Sequence, residues 1–227
     1  MIDFNRANSY TYPFPYMVID ECFEETLFNN LYNEFPDVSA EGSVMGGRRK
    51  MNTNTPSFNS WIKASPTWNM FYNWLNSDNI FHTLLDYYET DLRKWDSVIT
   101  KNNSLSTDCF IHIDWSSSTN GYTREIHRDS DKRIWNFLIF FNDKDWEGGD
   151  FCIHTSDTLT SFPDQIWDKS LPVYKTIEAK KNLGLFFLST PNSYHSVTIQ
   201  QNTNVPRQFI YGSFSYRNGD VFKKRSL

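Results

Sequence analysis

The chain has 227 residues and a formal net charge of −5, from 27 acidic and 22 basic residues. This length suits a single domain with one substantial core, and we expect one domain over residues 1–227. Because the net charge is negative, the chain offers no overall positive field to nucleic-acid phosphates or anionic lipids, and neither partner is expected. Two short basic runs, 48–50 and 223–225, are interpreted as solvated surface without a function.

Cysteine usage and the N-terminus indicate a compartment. Cys22, Cys109 and Cys152 are an odd number at irregular spacing, which fits neither a disulfide framework nor a zinc knuckle. The first residues lack the basic stretch and apolar run of a signal peptide, and no segment approaches the ~18 apolar residues of a membrane span. The sequence therefore predicts a soluble cytoplasmic protein.

Helical periodicity dominates the first hundred residues. Residues 10–20 contain two prolines and end in a β-branched run, which predicts an edge strand. An apolar residue at every fourth position predicts a helix from there onward: Phe23, Leu27, Leu31 and Phe35. Ser65, followed by a proline, predicts the start of a second helix, and Ser77 predicts the start of a third. Residues 38–60 are rich in Gly, Ser, Asn and Thr and are predicted to form a long mobile loop, whose role is left open.

Beyond residue 105 the pattern changes to short apolar runs separated by turn signals. Seven runs have the length of a strand: 109–115, 134–141, 150–154, 173–177, 184–188, 195–200 and 207–216. Such a series predicts an antiparallel sandwich or barrel. The consecutive Gly148 and Gly149 predict a hairpin between two of these strands, because glycine adopts the positive φ angles of a tight reversal.

Two His-x-Asp triplets compete as the start of a metal site. His127 and Asp129 are expected at the end of a strand, where both side chains can reach one ion. His112 and Asp114 instead lie in mid-strand, where polar and apolar residues alternate between the two faces. Ordinary strand patterning explains the second triplet, so we assign it no function and predict His127 and Asp129 as ligands.

A third ligand must come from a neighbouring strand. His195 is the only histidine after residue 154, and it opens one of the predicted strands. Two histidines and one carboxylate leave three positions of an octahedral ion open for a chelating co-substrate and dioxygen. Fe(II) suits this set because it can reach higher oxidation states, which Zn(II) cannot. The remaining histidines outside the triplets, His82 and His154, are predicted to be structural.

Taken in order, these motifs resemble the 2-oxoglutarate/Fe(II)-dependent dioxygenase superfamily, specifically its prolyl 4-hydroxylase-like branch. The matching segments are Gly121-Tyr122, His127-Arg128-Asp129, Phe140-Phe141-Asn142, Trp146, Gly148-Gly149-Asp150, residues 184–187, His195-Ser196-Val197 and Arg207. Residues 13–36 are similar to the N-terminal strand and helix of that branch.

The resemblance implies an α+β, mainly β fold: a double-stranded β-helix, that is a cupin-like jelly roll, with N-terminal helices packed on one sheet. Residues 1–104 would form the N-terminal strand and supporting helices. Residues 105–217 would form the double-stranded β-helix core, and 218–227 a C-terminal tail.

The resemblance also implies a hydroxylase that uses Fe(II), 2-oxoglutarate and dioxygen to oxidise a C–H bond, with release of succinate and carbon dioxide. The metal ligands would be the three residues above. Arg207 would grip the far carboxylate of 2-oxoglutarate, a task that suits its planar and permanently charged guanidinium. Arg217 is the less favoured choice for that task, and Asn136 would hydrogen-bond the co-substrate.

Two other functions stay open: a non-catalytic metal-binding jelly-roll module, and a cupin-like metalloenzyme that does not use 2-oxoglutarate. Arg207 distinguishes the second, because it should point away from the metal in such an enzyme. Asp129 favours a hydroxylase over a halogenase, which would have a small residue in its place. The substrate is left open between small molecules and peptides, because specificity lies in loops 38–60, 116–126 and 155–172.

Overall fold

The computed structural model describes residues 1–44, 46–95, 109–130, 132–156 and 170–217. Its α-helices over these residues are α1 (Glu25–Asn33), α2 (Phe58–Ala64), α3 (Pro66–Leu75) and α4 (Asp78–Trp95). The N-terminal strands are β1 (Ala7–Tyr10), β2 (Tyr16–Ile19), β3 (Ser43–Val44) and β4 (Arg48–Met51). The later strands are β5 (Cys109–Ser118), β6 (Arg124–His127), β7 (Arg133–Phe140), β8 (Phe151–His154), β9 (Val173–Ile177), β10 (Gly184–Leu188), β11 (His195–Val197) and β12 (Arg207–Tyr216). The predicted tail 218–227, with the basic run 223–225, and residues 157–169 of the predicted specificity loop lie outside the described residues.

The strands form two antiparallel sheets. The larger sheet has the order β1-β2-β10-β7-β12-β5-β4-β3, and the smaller one has the order β6-β11-β8-β9. From β5 to β12 the chain passes back and forth between the sheets, except that β8 and β9 are consecutive in the smaller one. The N-terminal strands extend the larger sheet at both edges. The seven predicted strands and the antiparallel, mainly β architecture are confirmed.

Alternation along the strands decides what each face of the larger sheet contacts. On β7, Trp135 and Phe137 pack in the core beneath the helices, whereas Leu138 and Phe140 pack between the two sheets. The helices contribute large side chains to the first of these cores: Phe28, Leu31, Trp68, Phe71, Phe81 and Leu84. The second face of the larger sheet therefore looks toward the smaller sheet, and a polar residue on that face lies between the sheets.

Helix α1 begins two residues later than its apolar spacing predicts, at Glu25. The Glu24 carboxylate caps it, because Oε2 accepts hydrogen bonds from the backbone N–H groups of Thr26 at 3.0 Å and Leu27 at 3.2 Å. These N–H groups have no partner within the helix, and the cap satisfies them. Phe23 precedes the cap and is nevertheless buried, so the apolar pattern continues into the residue before the helix.

Two predictions about connecting segments are wrong. Residues 38–60 are not one loop, since they contain β3, β4 and the start of α2. Strand β4 pairs with β5, with Lys50 opposite Ser116. The loop predicted over 116–126 is shorter, because β5 continues to Ser118 and β6 begins at Arg124. The apolar pattern does not predict β6, since its sequence Arg-Glu-Ile-His contains a single apolar residue.

None of the helices in the described part of the chain is both long and apolar enough to cross a membrane.

Candidate metal centre and its cavity

His127, Asp129 and His195 meet at one position of the smaller sheet. His127 ends β6, His195 begins β11, and the two histidines are register partners across that strand pair. Asp129 Oδ1 lies 3.8 Å from His127 Nε2, and Asp129 Oδ2 lies 3.7 Å from His195 Nε2. One ligand atom from each residue lies within 4.8 Å of the other two, and all three residues are buried. This arrangement of two imidazoles and one carboxylate can hold a single metal ion.

The backbone fixes the orientation of both imidazole rings. His127 Nδ1 lies 2.8 Å from the carbonyl oxygen of Glu125, and His195 Nδ1 lies 2.9 Å from that of Ser193. A neutral ring that donates from Nδ1 presents the lone pair of Nε2 toward Asp129. Burial, with a further contribution from His195, lowers the pKa of His127 to about 3, and burial also lowers the pKa of His195. Both rings are therefore neutral at neutral pH, which is the form that binds metal.

Protein contacts orient both carboxylate oxygens of Asp129. Burial alone would raise the pKa of this carboxyl, but the charge and hydrogen bond of Arg133 keep it below its ordinary value. Arg133 Nη1 lies 2.6 Å from Oδ1. The Tyr211 hydroxyl lies 3.2 Å from Oδ2 and 3.0 Å from Asn136 Oδ1. Asp129 is thus ionised and held in place, as a metal-binding carboxylate should be.

Asn136 is fully buried, and both ends of its amide are hydrogen-bonded within the protein. Its Nδ2 donates to Ser189 Oγ at 2.8 Å, and its Oδ1 faces the Tyr211 hydroxyl. The contact of Asn136 with the candidate metal ligand Asp129 therefore runs through Tyr211. A direct hydrogen bond from Asn136 to a co-substrate stays a prediction.

Arg207, the first residue of β12, is buried against aromatic rings and is 1% exposed. Its guanidinium carbon lies 4.5 Å from the centroid of the Phe209 ring and 5.2 Å from that of Tyr122, and both rings line the cavity that the triad lines. Nη1 donates to the carbonyl of Gly149, whereas Nε and Nη2 have no hydrogen-bond partner among the described residues. Burial lowers the pKa of Arg207 to about 10, so the side chain is still a cation at neutral pH. Two unused donors on a buried cation fit a carboxylate of matching geometry.

The other residues considered from the sequence lie apart from the triad. Arg217 is exposed, immediately after β12. His154 is buried, with Nδ1 3.1 Å from the carbonyl oxygen of Leu171 and Nε2 2.8 Å from Ser196 Oγ. Both of its ring nitrogens are therefore engaged, as expected of a structural histidine. His82 is exposed on α4.

A cavity of about 290 Å³ adjoins the triad, and four residues without a predicted function line it: Arg48, Lys50, His112 and Asp114. The interpretation of residues 48–50 as solvated surface is therefore wrong for Arg48 and Lys50. The interpretation of the second His-x-Asp triplet as plain strand patterning is also incomplete. Both pairs have a spacing of two residues, which places each pair on one face of a strand. The sequence shows this spacing, but the spacing does not identify which face of the strand looks toward the second sheet.

Asp114 joins the members of this second group. Its Oδ2 lies 3.0 Å from Arg48 Nη2 and 2.9 Å from Lys50 Nζ, and its Oδ1 lies 3.0 Å from His112 Nε2. Burial alone would raise the pKa of Asp114, but the hydrogen bond to His112 and the charges of Arg48 and Lys50 hold it below its ordinary value. The group therefore contains one ionised carboxylate with two cations directly on it.

Two histidines and one carboxylate on a two-sheet β fold define a class of site in which non-haem iron keeps open positions for a co-substrate and dioxygen. No protein-family model and no curated protein matches the sequence. Solved structures match it over most of the chain.

An oxidoreductase of the 2OG-Fe(II) oxygenase family from Burkholderia pseudomallei matches 88% of this chain and 84% of its own, with a TM-score of 0.57 and 11% identity. HygX from Streptomyces hygroscopicus, with nickel and 2-oxoglutarate bound, matches 93% of this chain and 84% of its own, with a TM-score of 0.55 and 11% identity. A prolyl-4-hydroxylase from Pseudomonas putida matches 89% and 93%, with a TM-score of 0.50 and 13% identity. At these identities the similarity establishes the fold. The resemblance that the sequence motifs indicate is therefore confirmed at the level of the fold.

Proposed function

We propose that this protein is a 2-oxoglutarate- and Fe(II)-dependent oxygenase that hydroxylates a C–H bond of a small-molecule or peptide substrate. One oxygen atom of dioxygen enters the alcohol product and the other enters succinate, with release of carbon dioxide. The observation that carries this proposal is a buried His-Asp-His ligand set on a cavity, together with a buried arginine that has two unused donors and packs against two aromatic rings of the cavity lining. We further propose that β5–β12 form a double-stranded β-helix within a single cytoplasmic domain.

The ligand set fits Fe(II) by its chemistry. Two neutral imidazoles and one carboxylate supply one side of an octahedral ion, and none of the three residues is exposed. His127 and His195 would bind through Nε2, and Asp129 through a carboxylate oxygen. When bound, iron and 2-oxoglutarate together supply the activation of dioxygen. The protein holds the three ligands in place through the backbone carbonyls on both rings and through Arg133 and the Tyr211 hydroxyl on Asp129.

Arg207 fits the far carboxylate of 2-oxoglutarate. Its Nε and Nη2 are buried and have no acceptor among the described residues, and an unsatisfied buried cation is costly unless an anion binds it. Phe209 and Tyr122 line the cavity and pack against the guanidinium, which places Arg207 next to the cavity wall. The nickel and 2-oxoglutarate in the similarly folded HygX structure support the same co-substrate here.

The test is a visible spectrum of the anaerobic protein with Fe(II) and 2-oxoglutarate. We expect a weak charge-transfer band near ~500 nm, typical of a keto acid chelating Fe(II) at a facial triad. His127→Ala should abolish the band, and Arg207→Ala should shift its appearance to higher 2-oxoglutarate concentration. Arg217→Ala is the matched control, because it removes the same side chain from an exposed position.

The two alternatives predict different spectra. A wild-type protein that binds metal tightly without forming the band would be a cupin-like metalloenzyme or a non-catalytic module. A band that persists in His127→Ala would place the metal elsewhere.

A further inference from the structure

Two cations on one strand of the larger sheet form part of the cavity wall. Arg48 and Lys50 are two residues apart on β4, so both side chains project from the same face, and both line the cavity beside the triad. We call them the β4 cation pair. The Arg48 side chain is 11% exposed and that of Lys50 is 30% exposed, so the pair is recessed and not spread on the surface. Arg49 between them points away, and its Nη1 donates to the backbone carbonyls of Ser39 and Glu41.

The cavity has the opposite charge to the chain. Four side chains of its described lining are cationic at neutral pH: Arg48, Lys50, Arg124 and Arg133. Two others are carboxylates, Asp114 and Asp129. The lining therefore has an excess of two positive charges, whereas the chain as a whole carries −5. A concentrated positive charge in a recess attracts and binds anions.

The co-substrate of the proposed function does not account for this excess. A divalent metal at the triad matches the two negative charges of 2-oxoglutarate. Arg207, which is assigned to the far carboxylate of 2-oxoglutarate, is not counted among the four cations above. Within the described ranges, Asp114 is the one carboxylate in contact with the β4 cation pair, and it already accepts from both members, at 3.0 Å and 2.9 Å. One carboxylate between two cations leaves a net positive charge at that place.

We propose that the substrate oxidised by this protein is a small organic anion, and that the β4 cation pair binds its carboxylate or phosphate group. This inference rests on the proposed function and names the substrate class of the same site. Asp114 is the positioning residue, because its carboxylate holds both cations on the cavity wall. A cavity of about 290 Å³ lies at the small end of ligand pockets and suits a small molecule.

The distance to the metal ligands agrees with this role. The guanidinium carbon of Arg48 lies 6.0 Å from the centroid of the Tyr211 ring, and the hydroxyl of that ring lies 3.2 Å from Asp129 Oδ2. Arg48 and Asp129 therefore lie next to the same tyrosine side chain. A substrate anchored by its anionic group at Arg48 and Lys50 has carbon atoms within reach of the metal position.

The experiment measures anion binding by titration calorimetry on the anaerobic protein with Fe(II) and saturating 2-oxoglutarate. The probes are inorganic phosphate and propionate, and the stronger of the two identifies the anionic group. We expect Lys50→Gln and Arg48→Gln to weaken binding of the preferred probe at least about tenfold, as the loss of a charge-assisted hydrogen bond does. Arg49→Gln removes the same charge from the opposite face of β4 and should change it less than about twofold. Should Arg48→Gln fail to fold, Lys50→Gln decides alone.

Three results overturn the inference. The first is a wild type that binds neither probe. The second is an Arg49→Gln variant that weakens binding as much as Lys50→Gln, which would mean diffuse surface attraction. A Lys50→Gln variant that loses affinity for 2-oxoglutarate and keeps the probe would assign the cation to the co-substrate. The charge-transfer band reports separately on the proposed function, and a repeat titration with Fe(II) alone tests the β4 cation pair even if that band is absent.

Discussion

Gly149 provides a test of the proposed co-substrate site that leaves every proposed metal ligand and Arg207 itself unchanged. Its φ of 69° lies in the left-handed region, and its carbonyl accepts from Arg207 Nη1. A Cβ at this position would lie 3.1 Å from that nitrogen and 3.2 Å from Trp146 Nε1. Gly149→Ala therefore strains the backbone and also displaces the guanidinium. Gly121 separates the two effects, because its φ is 87° and a Cβ there meets nothing within 4 Å.

The magnitudes follow from these contacts. A left-handed alanine costs about 1–2 kcal/mol of folding free energy, and both variants should show this loss. Only Gly149→Ala moves Arg207, which is expected to donate two charge-assisted hydrogen bonds to the co-substrate. Weakening one such bond costs about 1.5–3 kcal/mol, which corresponds to roughly a 10- to 100-fold increase in the Kd for 2-oxoglutarate. Gly121→Ala should leave that Kd unchanged.

The assay is an anaerobic titration of the Fe(II) protein with 2-oxoglutarate, followed at the charge-transfer band, together with urea unfolding of both variants. Equal losses of stability with a selective loss of 2-oxoglutarate affinity in Gly149→Ala would support the role of Arg207. If both variants bound 2-oxoglutarate like wild type, the guanidinium would not be the carboxylate anchor, and this reasoning would be refuted.

Three further predictions follow from side-chain contacts. Tyr211→Phe removes the hydroxyl 3.2 Å from Asp129 Oδ2, and a chelator competition should show Fe(II) affinity reduced about tenfold; an unchanged affinity would contradict the orienting role. Burial alone would raise the pKa of Asp114, but its hydrogen bond to His112 and the nearby cations hold this pKa below its ordinary value. The Asp114 carboxylate therefore stabilises the folded protein fully above about pH 4, and this contribution is lost as the pH falls toward the pKa of Asp114 in the folded state. Urea unfolding should thus show a free energy of unfolding about 3 kcal/mol lower for Asp114→Asn than for wild type at pH 7, and a smaller difference at pH 3. An equal difference at both pH values would contradict this prediction. His195→Ala should lose Fe(II) binding, whereas His154→Ala, with both ring nitrogens engaged elsewhere, should retain it.

The fold was predictable where strands alternate strongly or are continuously apolar. The run 134–141 predicts β7 to within one residue at each end, and the run 207–216 coincides with β12. Strands β4 and β6 escape prediction because they are short and charged, and their pairing comes from neighbouring strands and not from their own apolar residues. Tertiary context determines such strands.

The candidate metal site was predictable because its residues carry their chemistry in their type and order. His127, Asp129 and His195 are brought together as ligand atoms within 4.8 Å of one another. The cavity wall was harder to predict. The alternation of His112 and Asp114 correctly places both residues on one face of β5, yet periodicity cannot say that helices cover the other face.

The opposite signs of the chain and its cavity explain why net charge is a poor guide to a small-molecule site. Net charge governs long-range attraction to large partners, and −5 argues against a nucleic-acid partner. The charge of a recess depends instead on the few side chains that line it, and these are the side chains on the strand faces that look into the recess. Here β4 contributes Arg48 and Lys50, and the adjacent β5 contributes Asp114, which is buried between them. An acidic protein can therefore present a cationic cavity. The pairing of β4 with β5 places Arg48 and Lys50 beside the candidate metal ligands, which the sequence of the basic run does not reveal.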